Sequence, residues 1–396
     1  MIVDDYLPLQ KLKQSDGSYA YQTLFAHLTD DQSMWNVILE KAMAKLHGNY
    51  QHLVSGDPRE STRSLNGSPS LYHQHEKEPI TADFLWDELI RHDANNELMF
   101  LNTPWDGESF LNECGLQMGH AYVALKALNL SNGARVVQMR NPWGSERYKC
   151  DYSDSSDKWT PELRKEAQID EKAENDGVFY MTIEDFHSMG QSTVISFDTT
   201  GWYYDYFMML DDKTPPNGGW QFCGKTCTRH IVQIKSDVEQ DVYVTAHTWD
   251  ARTYPDECHV KNLKHSIYLF GAPTIDTFEK GAHQMKAQKF KAGEKKQYVL
   301  EFDWSRENIT PDWSITVWAE FGEVSVVYSD YRESDTLPYL ERTEKLQDPE
   351  EEAARVTAEF KKNSEDKIWD WRTALASSNG ATLKRYEEEE ERIRNE

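Results

Sequence analysis

The residues of this chain best placed to do chemistry are a histidine at the head of one alternating apolar run and an asparagine at the tail of the next. They are His120, in G-L-Q-M-G-H-A-Y, and Asn141, in M-R-N-P-W-G. An imidazole can take the proton of a thiol, and an asparagine amide can fix the tautomer and orientation of that ring, which is the arrangement a Cys–His–Asn protease needs. Spacing alone leaves the plainer alternative open, a histidine that only packs and hydrogen-bonds.

A nucleophile would have to come from five cysteines, Cys114, Cys150, Cys223, Cys227 and Cys258. They are sparse and odd in number, so they do not read as a disulfide framework, and a reducing compartment fits them. The run C-G-K-T-C-T-R-H, with Cys258 and His259 downstream, reads either as ordinary small buried thiols or as a zinc site, but the three-residue gap is loose and no second pair completes a tetrahedron. No metal is expected there.

These groups need folded elements to hold them. With 396 residues the chain is long enough for two or three domains. Its 13 Trp, 20 Tyr and 15 Phe offset an apolar fraction of only 38% and argue that most of it folds. Helices are expected over Ser33 to Leu46, where Met34, Ile38, Ala42 and Leu46 recur at one-turn spacing and Ser33 or Asp31 can cap the start, and over Thr81 to His92. The Ser-, Gly-, Pro- and Asn-rich stretch from Ser55 to Ser70 reads as a loop. From His120 the pattern turns to strands, with Leu130-Ser131-Asn132-Gly133 as a hairpin turn, then a short charged helix before Asn175, a strand in G-V-F-Y-M-T-I and a helix from Glu184. This makes an α+β region.

Beyond Pro215 the period becomes two: Tyr298, Leu300, Phe302 and Trp304 share one face, as do Trp313, Ile315, Val317 and Ala319, then Val324, Val326 and Tyr328. Such strands bury one face against a second sheet. The tail opens a helix at Asp348-Pro349-Glu350-Glu351, carries Trp369 and Trp371, and closes on Glu387 to Glu391, a solvated end or a docking tail.

Motif by motif, the first half resembles the calpain family of cysteine proteases. The matching segments are W-N-V-I-L-E-K-A-M-A-K-L-H-G-N-Y, G-L-Q-M-G-H-A-Y, M-R-N-P-W-G, D-Y-S-D-S-S-D-K-W and N-D-G-V-F-Y-M-T-I-E-D-F, in the family's order. The resemblance implies an α+β fold: a partial papain-like protease core, with its second subdomain intact, followed by a C2-like antiparallel β-sandwich and a helical C-terminal tail. The expected divisions are 1–72 for a remnant of the first subdomain, 73–214 for the second, 215–330 for the sandwich and 331–396 for the tail. By the same resemblance His120 is similar to the general base, Asn141 to the residue that orients it and Trp143 to the tryptophan that shields their hydrogen bond.

The family's cysteine lies in a Q-G-x-L-G-D-C-W segment ahead of V-D-D-x-L-P, whereas here I-V-D-D-Y-L-P follows Met1 directly. The resemblance therefore implies that the nucleophile and the oxyanion-hole glutamine are absent from this sequence, a loss of about a millionfold in turnover. Cys114 lies on the histidine's own side and is not expected to substitute. Of the family's calcium ligands Asp154 and Asp176 remain, but Arg63, Arg147 and Val178 replace glutamates, so calcium control of the core is expected to be lost and the two aspartates are expected to cap turns rather than to bind calcium. No cofactor is expected.

The expected function is that of a non-catalytic, calpain-like scaffold or assembly component, cytoplasmic and placed in a cytoskeletal or ciliary structure. The alternative is an active calcium-dependent endopeptidase whose cysteine segment lies upstream. A net charge of −25 disfavours nucleic acid and anionic membranes and favours protein partners with basic or apolar surfaces; no apolar run is long enough to span a membrane. An apolar surface is expected to stay exposed where the absent helix would pack.

Overall fold

The computed structural model describes residues 2–26, 33–53, 55–77, 80–105, 110–169, 175–209, 220–222, 225–248, 264–269, 283–303 and 313–329. The tail expected over 331–396 lies outside them, as do Cys223, Cys258 and Trp304.

The chain opens with an antiparallel hairpin, β1 (Leu9–Lys13) and β2 (Tyr19–Thr23), then α1 (Trp35–Leu46) and a short 3-10 turn at Tyr50–Leu53. Met34, not Ser33, stands at the cap position of α1 and makes no side-chain cap bond, and Asp31 lies outside the described residues. Val37, Ala44 and His47 are the buried residues among those described up to Leu53. The Ser55–Ser70 stretch is not all loop. It contains α2 (Pro58–Asn66), capped by Asp57, whose carboxylate accepts from Arg59 N, with Pro58 in the first turn and Gly67 at the end.

A six-stranded antiparallel sheet follows, built from β3 (Ser70–Gln74), β4 (Leu98–Asn102), β5 (Ala121–Asn129), β6 (Arg135–Arg140), β7 (Val178–Thr182) and β8 (Ser192–Ser196) in the order β3-β8-β4-β5-β6-β7. Three helices accompany it: α3 (Ala82–Ala94), α4 (Pro161–Glu166) and α5 (Ile183–Met189). Thr81, Thr160 and Thr182 cap them through their hydroxyls. Strand alternation divides the packing. Val137, Met139, Phe179 and Met181 join Leu85 and Leu89 of α3 and Phe186 of α5 on one face, whereas Val136 and Tyr180 join Trp159 and Leu163 on the other.

The second unit is wholly antiparallel. Its strands are β9 (Tyr203–Met209), β10 (Trp220–Phe222), β11 (Lys225–Lys235), β12 (Gln240–Thr248), β13 (Lys264–Leu269), β14 (His283–Phe290), β15 (Lys295–Asp303), β16 (Trp313–Ala319) and β17 (Glu323–Ser329). One sheet runs β10-β11-β15-β13 with β17 also on β11, the other β14-β12-β16-β9. One core lies between them, with Tyr298, Leu300, Ile315, Val317 and Ala319 fully buried on the faces that alternation assigns inward. β9 pairs with β16, so this unit begins ahead of residue 215.

Cys114 and Cys150 are joined in a disulfide, with Cα atoms 5.3 Å apart, which corrects the expectation of thiols that do not pair. The reason is local: Lys149 N donates to Cys114 O at 2.9 Å, so two segments distant in sequence run side by side.

Candidate functional site

His120 sits where the chain enters β5, and its backbone is clamped before the side chain does anything. Its N–H donates to Thr103 Oγ1 at 2.9 Å and its carbonyl accepts from Thr103 N at 2.9 Å. Gly119 precedes it with φ +62°, and a Cβ there would lie 2.7 Å from the Trp105 ring, so only glycine lets the aromatic approach this closely.

Asn141 leaves the end of β6, its N–H donating to Gly177 O at 2.8 Å. Gly177 has φ +89°, and a Cβ on it would come within 2.8 Å of Asn141 O. The Asn141 side chain is buried and its amide is oriented from two sides: Nδ2 donates to Ser145 O at 2.8 Å, and Oδ1 accepts from Trp143 N at 3.2 Å. Oδ1 must therefore face His120, and since it can only accept, His120 Nε2 carries the proton across the 2.9 Å bond between them. Nδ1 is left as the basic nitrogen.

Aromatic rings enclose the imidazole. Trp143 tilts over it at 4.4 Å between centroids, and Tyr122 meets it edge-on at 4.9 Å. Phe110 stacks beside Trp143 at 6.4 Å. Burial pushes the His120 pKa below its ordinary value, and the bond to Asn141 opposes only part of that shift, so the ring is neutral and proton-accepting near pH 7. Trp143 is still 58% exposed, and Trp105 and Phe110 are exposed too, so the face around His120 is open.

The structure thus brings His120, Asn141 and Trp143 together, while Asp154 and Asp176 lie in a separate carboxylate group past the end of β6. Sequence reading passed over its third member, Glu146. Glu146 Oε2 accepts from Gly177 N at 2.5 Å, and Glu146 N donates to Asn175 Oδ1 at 2.9 Å. Glu146 stands one position before Arg147. Asp176 accepts from Val178 N at 2.8 Å, the bond of a turn cap. Burial, then the charges of Glu146 and Asp176, push the Asp154 carboxyl up to about 6, against the pull of Arg164, whose Nη2 donates to Asp154 O. Among the described residues no three His, Cys, Asp or Glu side chains gather as a metal site requires. Arg63 is on α2, its Nη1 donating to Thr248 O at 3.3 Å.

Cys114 is buried and bonded to Cys150, so it offers no thiol to His120. Cys227 lies in β11 of the second unit. Among the described residues no helix is long and apolar enough to cross a membrane.

Comparison with known proteins gives a consistent picture for the first half of the chain. Residues 1–196 match the calpain family of cysteine proteases. Calpain-14 of Homo sapiens is 35% identical over 189 residues, which cover 47% of this chain and 26% of that protein. Calpain-A of Drosophila melanogaster is 31% identical over 198 residues, covering 22% of its length, and the calpain-type cysteine protease ADL1 of Oryza sativa subsp. japonica is 30% identical over 191 residues, covering 8%. The chain spans about a quarter of these relatives' length or less. Among solved structures an exo-beta-1,3-galactanase from Phanerochaete chrysosporium covers 50% of this chain at 8% identity with a TM-score of 0.17, a likeness that carries no argument.

Proposed function

Taking as premise that residues 1–196 belong to the calpain family of cysteine proteases, we propose that this polypeptide is a non-catalytic member that binds protein partners. The observation that carries the proposal is the apolar surface of its opening segment. Ile2 is 88% exposed, Tyr6 84%, Tyr21 65% and Trp35 64%, and Met34, at the cap of α1, and Leu39, within it, are exposed too. A patch of this kind marks a protein interaction site or an aggregation hazard. Its chemistry calls for an apolar partner surface, and the charge of −25 adds a preference for a basic one. Placement in a cytoplasmic assembly, cytoskeletal or ciliary, and a C2-like character for the second unit belong to the same reading.

The imidazole–amide pair supports orientation and proton transfer, yet none of the described residues sets a free thiol against His120 Nδ1. Among the described residues the pair therefore meets no sulfur to activate. Calcium plays no part in this reading, because Arg63, Arg147 and Val178 bring no carboxylate and calcium needs six to eight oxygen ligands.

A second reading is favoured by one observation, the orientation of His120 with Nδ1 bare and Nε2 held by Asn141. That geometry suits an active endopeptidase once a cysteine-bearing segment is supplied. The test is to assay residues 1–396 with a fluorogenic peptide and a thiol-directed peptide probe in millimolar calcium. The proposal expects neither turnover nor labelling that depends on His120; turnover abolished by His120→Ala would overturn it.

A further inference from the structure

The disulfide between Cys114 and Cys150 closes a 36-residue loop, and that loop contains His120, Asn141 and Trp143. The two cysteines differ in access. Cys114 is buried in the main core at 4% exposure, whereas Cys150 packs against that core only partly buried. Their segments also touch without the bond: Lys149 N donates to Cys114 O at 2.9 Å, and a Cβ on Gly115 would lie 2.0 Å from Arg147 O. If the sulfurs part, these backbone contacts still hold the thiols side by side, so the bond can close again in place.

Both arms of the link lead to the imidazole–amide pair. On one side the chain turns tightly around Cys114, with Gly115 N donating to Asn112 O at 3.0 Å and Leu116 N to Asn112 Oδ1 at 2.8 Å. Gln117 comes next. Its carbonyl accepts from Thr103 Oγ1 at 2.7 Å, and that same hydroxyl accepts from His120 N at 2.9 Å, so Thr103 couples the turn to the histidine's backbone. Gln117 N donates to Tyr122 OH at 2.8 Å, and Tyr122 is the ring that meets His120 edge-on. On the other side Ser145 O orients the Asn141 amide, and Tyr148 stacks on Phe179, which meets Tyr122 at 5.9 Å. Opening the link frees the turn from the 145–150 segment, and the groups that enclose His120 are bonded to or packed on these two.

We propose that the Cys114–Cys150 bond is a reversible redox switch that sets how tightly the His120–Asn141 pair is enclosed. Two molecules of a small thiol operate it. The first, as thiolate, attacks Sγ of the less buried Cys150; the S–S bond breaks and its electron pair leaves on Cys114 Sγ, which takes up a proton. The second attacks the sulfur that the first left on Cys150, the mixed disulfide breaks, and Cys150 Sγ leaves and is protonated. Two thiols are thereby oxidised to one disulfide, and the protein gains two electrons and two protons. In the cytoplasmic placement proposed above, reduced glutathione supplies them, and disulfides there are ordinarily transient rather than structural. Only that supply rests on the placement, and a titration with added glutathione tests the switch in any compartment.

The full chain is equilibrated in millimolar glutathione, from the oxidised form alone to about a hundredfold excess of the reduced form, then alkylated and read peptide by peptide in a mass spectrometer. Cys114 and Cys150 should be unlabelled in the oxidised buffer, labelled in about half of the chains or more in the most reduced one, and unlabelled again on return. In the same samples the rate at which diethylpyrocarbonate acylates His120 should rise about threefold or more as the link opens, because a loosened enclosure admits the reagent. Lower global stability alone does not move that rate while far-UV circular dichroism shows the chain folded. Cys150→Ser, a near-isosteric change at a partly buried position, should give the faster rate at every glutathione ratio. Labelling of both cysteines in oxidised glutathione, a link that opens only when urea unfolds the chain, or an unchanged His120 rate once it has opened would overturn the proposal.

Discussion

Residues 70–196 and residues 2–53 both fall in the region that matches the calpain family, but they are held in different ways. The former carry an apolar core on each face of one sheet, with Phe179, Met139, Leu89 and Phe186 almost wholly buried. The latter bury Val37, Ala44 and His47 among their described residues and leave tyrosines, a tryptophan and leucines in water. One region completes its own core, and the other leaves most of the apolar side chains of its described residues exposed. The difference explains why the His120–Asn141 pair is so well determined: each of its clamps, Thr103, Ser145 and Gly177, lies within the self-sufficient region.

Breaking the self-sufficient region should give the largest effect. Phe179 is packed against Tyr148 at 5.2 Å and Tyr122 at 5.9 Å, and Phe179→Ala should destabilise it by about 3–5 kcal/mol in urea unfolding. Next comes the link between Cys114 and Cys150, which closes a loop of 36 residues; its reduction should lower stability by about 4 kcal/mol, read as a fall in the unfolding midpoint with and without reductant.

Asp154 gives a smaller, pH-dependent effect. Its carboxyl is raised from 3.8 to about 6, so between those values the folded state holds the proton more tightly than the unfolded chain. Its contribution is therefore present in full below about pH 4 and is lost as pH rises through about 6, by about 1 kcal/mol once discounted for solvent screening of a half-exposed group. His75, lowered to about 4 chiefly by burial, runs the other way over the same window. The measurement is thus a difference: Asp154→Asn should remove the falling component that the parent shows. The smallest effect should come from the opening segment, where Trp35→Ala should change stability by less than about 0.5 kcal/mol because the ring is already in water.

Much of the self-sufficient region was legible because local signals agreed there. The Leu130–Gly133 turn between alternating runs gave the β5–β6 hairpin, and Thr81 gave the start of α3. His120 and Asn141 were readable as a pair because a strand start and a strand end in a hairpin are brought together by the fold itself. Other features were hidden by composition or distance. α2 was masked by a Ser-, Gly- and Pro-rich stretch, although Asp57 followed by Pro58 is a helix start. β9, Y-Y-D-Y-F-M-M, carries apolar residues on both faces and so shows no clean alternation. The pairing of Cys114 with Cys150 needed the knowledge that Lys149 runs beside Cys114. Glu146 escaped because a one-residue displacement changes which side chain reaches Gly177.

The contrast between the two regions is tested most directly by amide hydrogen exchange on the intact chain, followed residue by residue. Slowest exchange is predicted for the central strands, at Met99, Leu101, Val137, Met139 and Phe179, and exchange faster by several orders of magnitude for β1, β2 and the first turn of α1. Equal protection in both regions would contradict the account, since it would mean that the opening segment is as complete by itself as the sheet that holds His120.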